Sequence, residues 1–256
     1  MPPVMGAHAD GADRARGIRA PSRGVWQLTA DVNVARRLAA SGFDWVALDM
    51  QHGAIDRAAL LEIGRALGDV GANVVVRVPG VDPVWIGAAL DVGAAAVIVP
   101  TVGSTDDAVA IVEAAAYPPA GQRSWGPLTD LWGGIAPDPA TANARVQCIP
   151  MIETRAALDD VDAIAAVNGV HALFIGPFDL SLSLRITIDD LLAATGDDDP
   201  IPTIMASAAR HGRTVVAFAG VPARAPAFQS FGIEALAVAT DLGLLELGAD
   251  RALGAG

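Results

Sequence analysis

The sequence contains no lysine; all 17 of its basic residues are arginines. The amine that would condense with a carbonyl substrate is therefore missing, and Schiff-base chemistry through a lysine is excluded. The one cysteine, Cys148, cannot form an internal disulfide, and its place in the apolar run VQCIPMI marks it as a small buried hydrophobe. No uninterrupted apolar stretch reaches the roughly 20 residues of a membrane span. The opening MPPVMGAHADGADRARGIRAPSRG lacks the apolar centre of a secretory signal. It reads as a flexible leader over residues 1–23, with the cytoplasm as the default compartment. Charged residues are 18% of the chain and the net charge is −12. That balance argues against nucleic acid and against anionic membranes as partners. An anionic small-molecule substrate would need a local cation working against the overall field.

What is present is an alternation of two textures. Short β-branched runs lie at 24–28, 45–50, 73–79, 95–100, 146–153, 172–177, 214–219 and 235–241. Segments with helical periodicity, such as DRAALLEIGRALGDV and STDDAVAIVEAAA, fall between most of them. Ser104 followed by Asp107 reads as a capping box, and Gly71 and Gly212 fall where helices should stop. Strands apolar on both faces, each followed by a helix, describe an α/β fold of the (β/α)8 TIM-barrel type as a single domain over 24–256. A doubly wound open sheet is the alternative, but no G-x-G-x-x-G or Walker sequence follows the first strand. Insertions at 117–145 and 178–199 interrupt the regular spacing.

Catalytic groups of such a barrel come from the C-terminal ends of its strands. The second run, DWVALDMQHGAID, ends in Asp49, Gln51 and His52; the third ends in Arg77, the fifth in Glu153, and the sixth in Gly176, Pro177 and Asp179. Two carboxylates, a histidine and an arginine would converge on one rim. Glu153 with Asp179 suggests a hard divalent cation, Mg2+, Mn2+ or Co2+. Each residue also has a plain structural reading. Glu153 could favour a helix dipole, Asp179 could be an N-cap, Arg77 could pair with Asp49, and His52 could bond a loop carbonyl.

GFDWVALDMQHGAID, VVVRVPGVDPVWIGAALDVGAAAVIVPTV, YPPAGQRSWGP, MIETRAAL and LFIGPFDLS, in that order, resemble the class II pyruvate aldolases of the HpcH/HpaI aldolase/citrate lyase family. The resemblance implies a barrel of the phosphoenolpyruvate/pyruvate superfamily type. It also implies an activity like that of 4-hydroxy-2-oxo-heptane-dioate aldolase, a carbon–carbon lyase of aromatic-compound catabolism. In that pattern Glu153 and Asp179 hold the metal, and His52 supported by Asp91 is the acid/base element. Arg77 holds the pyruvyl oxygen, and Asp49 orients Arg77 or His52. Gly176, Pro177 and neighbouring amides take the substrate carboxylate, while Trp26, Phe178, Gln51 and Arg123 line the pocket. The substrates implied are a 2-oxo acid and an aldehyde. The assembly implied is a homohexamer, a trimer of dimers that exchange a C-terminal helix.

Three positions depart from the pattern. Gln51 replaces a carboxylate in D-M-Q-H, Met151 stands where a glutamine is common, and Phe178 fills a slot often held by alanine. The rival readings are a CoA-ester lyase of the citrate lyase β-subunit or malyl-CoA lyase type, and a non-catalytic barrel. The retained His52, Arg77, Glu153 and Asp179 weigh against the second rival.

Overall fold

In a computed structural model, which describes residues 17–254, the eight β-branched runs close into one parallel barrel. The strands are β1 (Ser22–Gln27), β2 (Trp45–Asp49), β3 (Val74–Arg77), β4 (Ala96–Val99), β5 (Gln147–Ile152), β6 (Ala172–Ile175), β7 (Thr214–Phe218) and β8 (Ala235–Thr240). Neighbours pair in chain order and β8 returns to β1, so every strand has two partners and the sheet has no edge. This is the (β/α)8 architecture expected from the sequence.

Side chains of a strand alternate between its two faces. In β2, Val46 and Leu48 turn outward to pack with Val74, Val76 and the covering helices. Trp45 and Ala47 turn inward, where they meet Val75, Ile98, Ile149, Met151, Phe174 and Val216. The same parity carries on to the strand ends: Asp49 follows Ala47, Arg77 follows Val75, Glu153 follows Met151 and Gly176 follows Phe174. A two-residue period therefore aims all four positions at the barrel axis. Asp49 and Arg77 are also register partners on neighbouring strands.

The opposite, N-terminal mouth is plugged. Ile18 is buried within the interior cluster. Its N–H donates to Gln147 Oε1 at 2.7 Å, and the Gly17 N–H donates to Asn73 Oδ1 at 2.9 Å. Trp45 fills the space above, and its Nε1 donates to Ser22 Oγ at 3.1 Å. Gly24 makes room for that indole, since a Cβ at this position would lie 2.2 Å from the ring. The barrel thus begins earlier than the sequence suggested, and residues 17–23 are part of it rather than of a leader. The remainder of the expected leader lies outside the described residues.

Local signals behave as their chemistry requires. Ser104 and Asp107 form the capping box of the helix Thr105–Ala115, and Gly71 and Gly212 both sit at φ 65°. The 117–145 insertion connects that helix to β5, which places it at the N-terminal end of the barrel. It holds a short 3-10 turn, Asp130–Trp132, and a helix, Pro139–Arg145. The 178–199 segment folds into helices Pro177–Leu184 and Ile188–Ala193, the first starting at the C-terminal rim. Burial pushes the Cys148 thiol up to about 12, so it is unreactive at neutral pH. Among the described residues, no helix is long and apolar enough to cross a membrane.

Candidate active site

Asp49 is fully buried and is the meeting point of three strands. Arg77 donates from Nε and Nη2 to its two oxygens, at 2.9 and 2.5 Å. Trp26 of β1 donates from Nε1 at 3.2 Å, and the backbone N–H groups of Gln51 and His52 donate at 2.9 and 3.2 Å. One carboxylate thereby fixes both the guanidinium and the turn that carries His52. The turn is tight: a Cβ on Gly53 would lie 2.4 Å from the Asp49 carbonyl. Burial alone would push the Asp49 carboxyl up; the bonds and charge of Arg77, with the His52 and Trp26 donors, reverse this and hold it below its ordinary value. Arg77 lies 5.2 Å from the Trp26 ring centre. Its Nη1 has no protein partner among the described residues. The plain reading of Arg77 as a partner of Asp49 is therefore correct, and the pairing uses two of the five guanidinium N–H donors.

Glu153 is 3% exposed, and its Oε1 accepts the Thr101 N–H at 2.6 Å. Thr101 is held at φ 56°, a left-handed conformation that a β-branched residue adopts at a cost of about 1–3 kcal/mol. Glu153 Oε2 has no hydrogen-bond partner among the described residues. Gly176 permits its position, because a Cβ there would come 2.7 Å from Oε2. Asp179 sits in the first turn of the helix Pro177–Leu184; it is not the N-cap, a place held by Gly176 with no side-chain cap. Burial pushes the Glu153 carboxyl up, the Thr101 N–H offsets part of this, Asp179 adds to the push, and Arg77 and His52 pull back. These groups are therefore close enough to act on one another.

A buried carboxyl with one N–H donor beside a second carboxyl is an arrangement that a hard divalent cation would relieve. The donor set, two oxygens with space for solvent and substrate oxygens, fits Mg2+, Mn2+ or Co2+ better than a softer ion. Among the described residues, no three His, Cys, Asp or Glu side chains gather elsewhere as an alternative cage.

The remaining sequence-derived residues divide into two groups. Trp26 is buried under Arg77, Gln51 points a buried Oε1 that has no partner, and Phe178 stands 43% exposed at the mouth. The Gly176 N–H is already bonded to the Ile152 carbonyl at 3.3 Å. Pro177 has no N–H, so the free amides of this helix start are those of Phe178 and Asp179. Asp91 and Arg123 are not at the rim. Asp91 ends the helix Pro83–Asp91, four residues before Ala95, whose N–H bonds to the first residue of β3. That is the N-terminal end of the barrel. Asp91 pairs there with Arg123 at 2.8 Å, and Arg123 lies over the Tyr117 ring. Within one chain, Asp91 cannot support His52.

Three residues of the rim carried no sequence signal that was used. Thr101 acts through its backbone N–H alone. Asp241 accepts from Leu28 N, Thr29 N and Thr29 Oγ1 at 3.1, 2.9 and 2.6 Å, closing the loop after β1. Arg224, in the loop after β7, is a second rim cation; its position at a strand's C-terminal side could have revealed it.

Asp49→Asn should destabilise the protein by about 3 kcal/mol in urea unfolding at pH 7, because Arg77 is left buried without its counter-charge. A carboxyl held below its ordinary value of 3.8 stabilises above that pH and ceases to as pH falls through the folded value. The difference between wild type and variant should therefore narrow only in strong acid. Glu153 has the opposite sign. Its carboxyl is raised above 4.5, so at neutral pH the charged form opposes folding. Without added metal, Glu153→Gln should melt higher than wild type. Mn2+ should raise the wild-type Tm and leave the variant unmoved.

The family model described as HpcH/HpaI aldolase/citrate lyase matches residues 22–241. A 4-hydroxy-2-oxovalerate aldolase of Novosphingobium aromaticivorans is 39% identical over 180 residues, 68% of this chain and 69% of that one. A 5-keto-4-deoxy-D-glucarate aldolase of Salmonella arizonae is 33% identical over 232 residues, 89% of each chain. The solved structure of an HpcH/HpaI aldolase/citrate lyase family protein from Burkholderia cenocepacia superposes with a TM-score of 0.81 at 31% identity, covering 91% of this chain and 93% of that one. With the barrel, the strand-end constellation and these likenesses together, the chain belongs to the HpcH/HpaI aldolase/citrate lyase family.

Proposed function

We propose that this protein, a carbon–carbon lyase, cleaves or forms 4-hydroxy-2-oxo acids, with pyruvate and an aldehyde as the other side of the equilibrium, and that it depends on a divalent cation. The observation that carries the reading is the pair Glu153 and Asp179, unneutralised and beside the Arg77 guanidinium. The names of the aldolase relatives support the same class, and their substrates differ at the end away from the oxo acid. A cation held by the two carboxylates would supply a Lewis acid for the 2-oxo group.

The chain's own groups account for the rest. The amides of Phe178 and Asp179, at a helix start with no side-chain cap, are free to hold the substrate carboxylate. Arg77 Nη1, its fork pinned by Asp49, offers a preorganised donor to the oxygen on which enolate charge develops. His52 takes the proton of the 4-hydroxyl. The C3–C4 bond then breaks, its electron pair becomes the enolate, and C3 accepts a proton to give pyruvate. Phe178, Phe218 and Trp26 keep one wall of the site apolar.

The test is pyruvate release from a panel of 4-hydroxy-2-oxo acids. Release should stop with EDTA and return with Mn2+. Arg77→Lys keeps a cation against Asp49 but loses the fork, and kcat/KM should fall on the order of 10²-fold. Release that persists in EDTA, or full activity in Arg77→Lys, would overturn the reading.

We further propose that the working form is an oligomer, with a hexamer as the expected size. The helix Asp241–Leu253 supports this, because Leu242, Leu245, Leu247 and Leu253 are 44, 66, 50 and 82% exposed, an apolar surface that a second copy would cover. A contact between His52 and Asp91 requires two copies, since the two residues lie at opposite ends of one barrel. Light scattering should give a mass of several chains, reduced by Leu245→Asp; a wild-type monomer at micromolar concentration would contradict it.

A further inference from the structure

The rim carries a guanidinium that the chemistry at Arg77 does not use. Arg224 ends the short 3-10 turn Pro222–Arg224 after β7. Its Nη1 donates to the Ala219 carbonyl at 2.8 Å, and its head lies 5.2 Å from the Phe178 ring centre. Gly220, at φ 74°, turns the chain between Phe218 and Arg224; a Cβ there would sit 3.1 Å from the Phe218 ring. A backbone clasp and a ring platform thus hold a long side chain in place before any ligand arrives. The described ion pairs engage Arg77, Arg123, Arg155, Arg210 and His211, but not Arg224. In a chain of net charge −12, a cation so placed and left without a carboxylate has donors to spare.

Its position follows from a wall of aromatic rings. Trp26 lies under Arg77; Phe218 meets Trp26 edge to face at 5.2 Å, Phe178 meets Phe218 the same way at 6.3 Å, and Arg224 covers Phe178. Phe178 immediately precedes Asp179. The wall therefore runs from the Arg77 guanidinium, past Asp179, to the Arg224 guanidinium. A substrate fixed at Arg77 by its oxo acid would have these rings as one wall for its aldehyde half.

Resting on the aldolase reading, we propose that Arg224 is a specificity-determining residue that binds an anionic group at the far end of the aldehyde half. The preferred substrates are then 4-hydroxy-2-oxo acids with a second acidic terminus, a carboxylate or a sulfonate, rather than an alkyl end. The rings of Phe178 and Phe218 cover the carbons between the reacting centre and that terminus. Without Arg224, such an anion would meet a rim dominated by Glu153 and Asp179.

The experiment measures kcat/KM with the Mn2+-loaded enzyme for three 4-hydroxy-2-oxo acids of equal length, ending in carboxylate, sulfonate or methyl. Wild type should favour an acid-ended substrate, and the better of the two acid ends identifies the terminus. Arg224→Gln should lose about 10- to 100-fold on that substrate, chiefly through KM, and less than about threefold on the methyl-ended one. Arg224→Lys should recover part of the loss. An equal loss on all three substrates would make Arg224 a structural residue and overturn the proposal. Preference of the wild type for the methyl-ended substrate would overturn it while leaving the aldolase reading standing. Cleavage of none of the three would remove both.

Discussion

Asp49 and Arg77 face each other on neighbouring strands inside a closed barrel, where neither charge is tolerable without the other. Their pairing is bidentate, and the carboxylate also gathers the Trp26 indole and the two amides that lead to His52. The guanidinium, the histidine turn and the floor of the site are therefore positioned by one buried group. Because each partner's own bonds are already made, the geometry exists before a substrate arrives, which is the condition for electrostatic stabilisation of a developing charge.

The other side of the rim is built on the opposite principle. Glu153 is buried with a single N–H donor, supplied by a threonine in a strained backbone conformation, and its neighbour Asp179 repels it. Among the described residues, no ion pair engages Glu153 or Asp179. One carboxylate is thus balanced by five donors, while Glu153 has one and stands beside a second carboxylate, which is what motivates the proposed cation. The rim thus joins a satisfied half, around Asp49, to an unsatisfied half, around Glu153.

Much of this was legible in the residues. The β-branched runs marked all eight strands, and the two-residue period that buries Ala47, Val75, Met151 and Phe174 also delivers Asp49, Arg77, Glu153 and Gly176 to one face. What escaped was what side-chain pattern does not encode. Thr101 contributes a backbone N–H, and Ile18 plugs the barrel from a stretch whose composition looks mobile. Asp91 and Arg123 were carried to the rim by likeness to other proteins. The strand-end rule itself argued otherwise, because Asp91 closes a helix and precedes β4 at the far mouth. VPARAP reads as an ordinary loop; the Ala219 carbonyl and the Phe178 ring, which no side-chain pattern encodes, give Arg224 its fixed place.

On the proposed reading, the unsatisfied carboxylate pair and the Asp49-held guanidinium together stabilise a pyruvate enolate. Exchange of pyruvate methyl protons with D2O, followed by NMR, reads that step directly and needs no aldehyde. Exchange should occur in the presence of Mn2+ and not in EDTA, with the rate collapsing in Glu153→Gln. Exchange at the same rate in EDTA, or no exchange with the metal present, would contradict that reading.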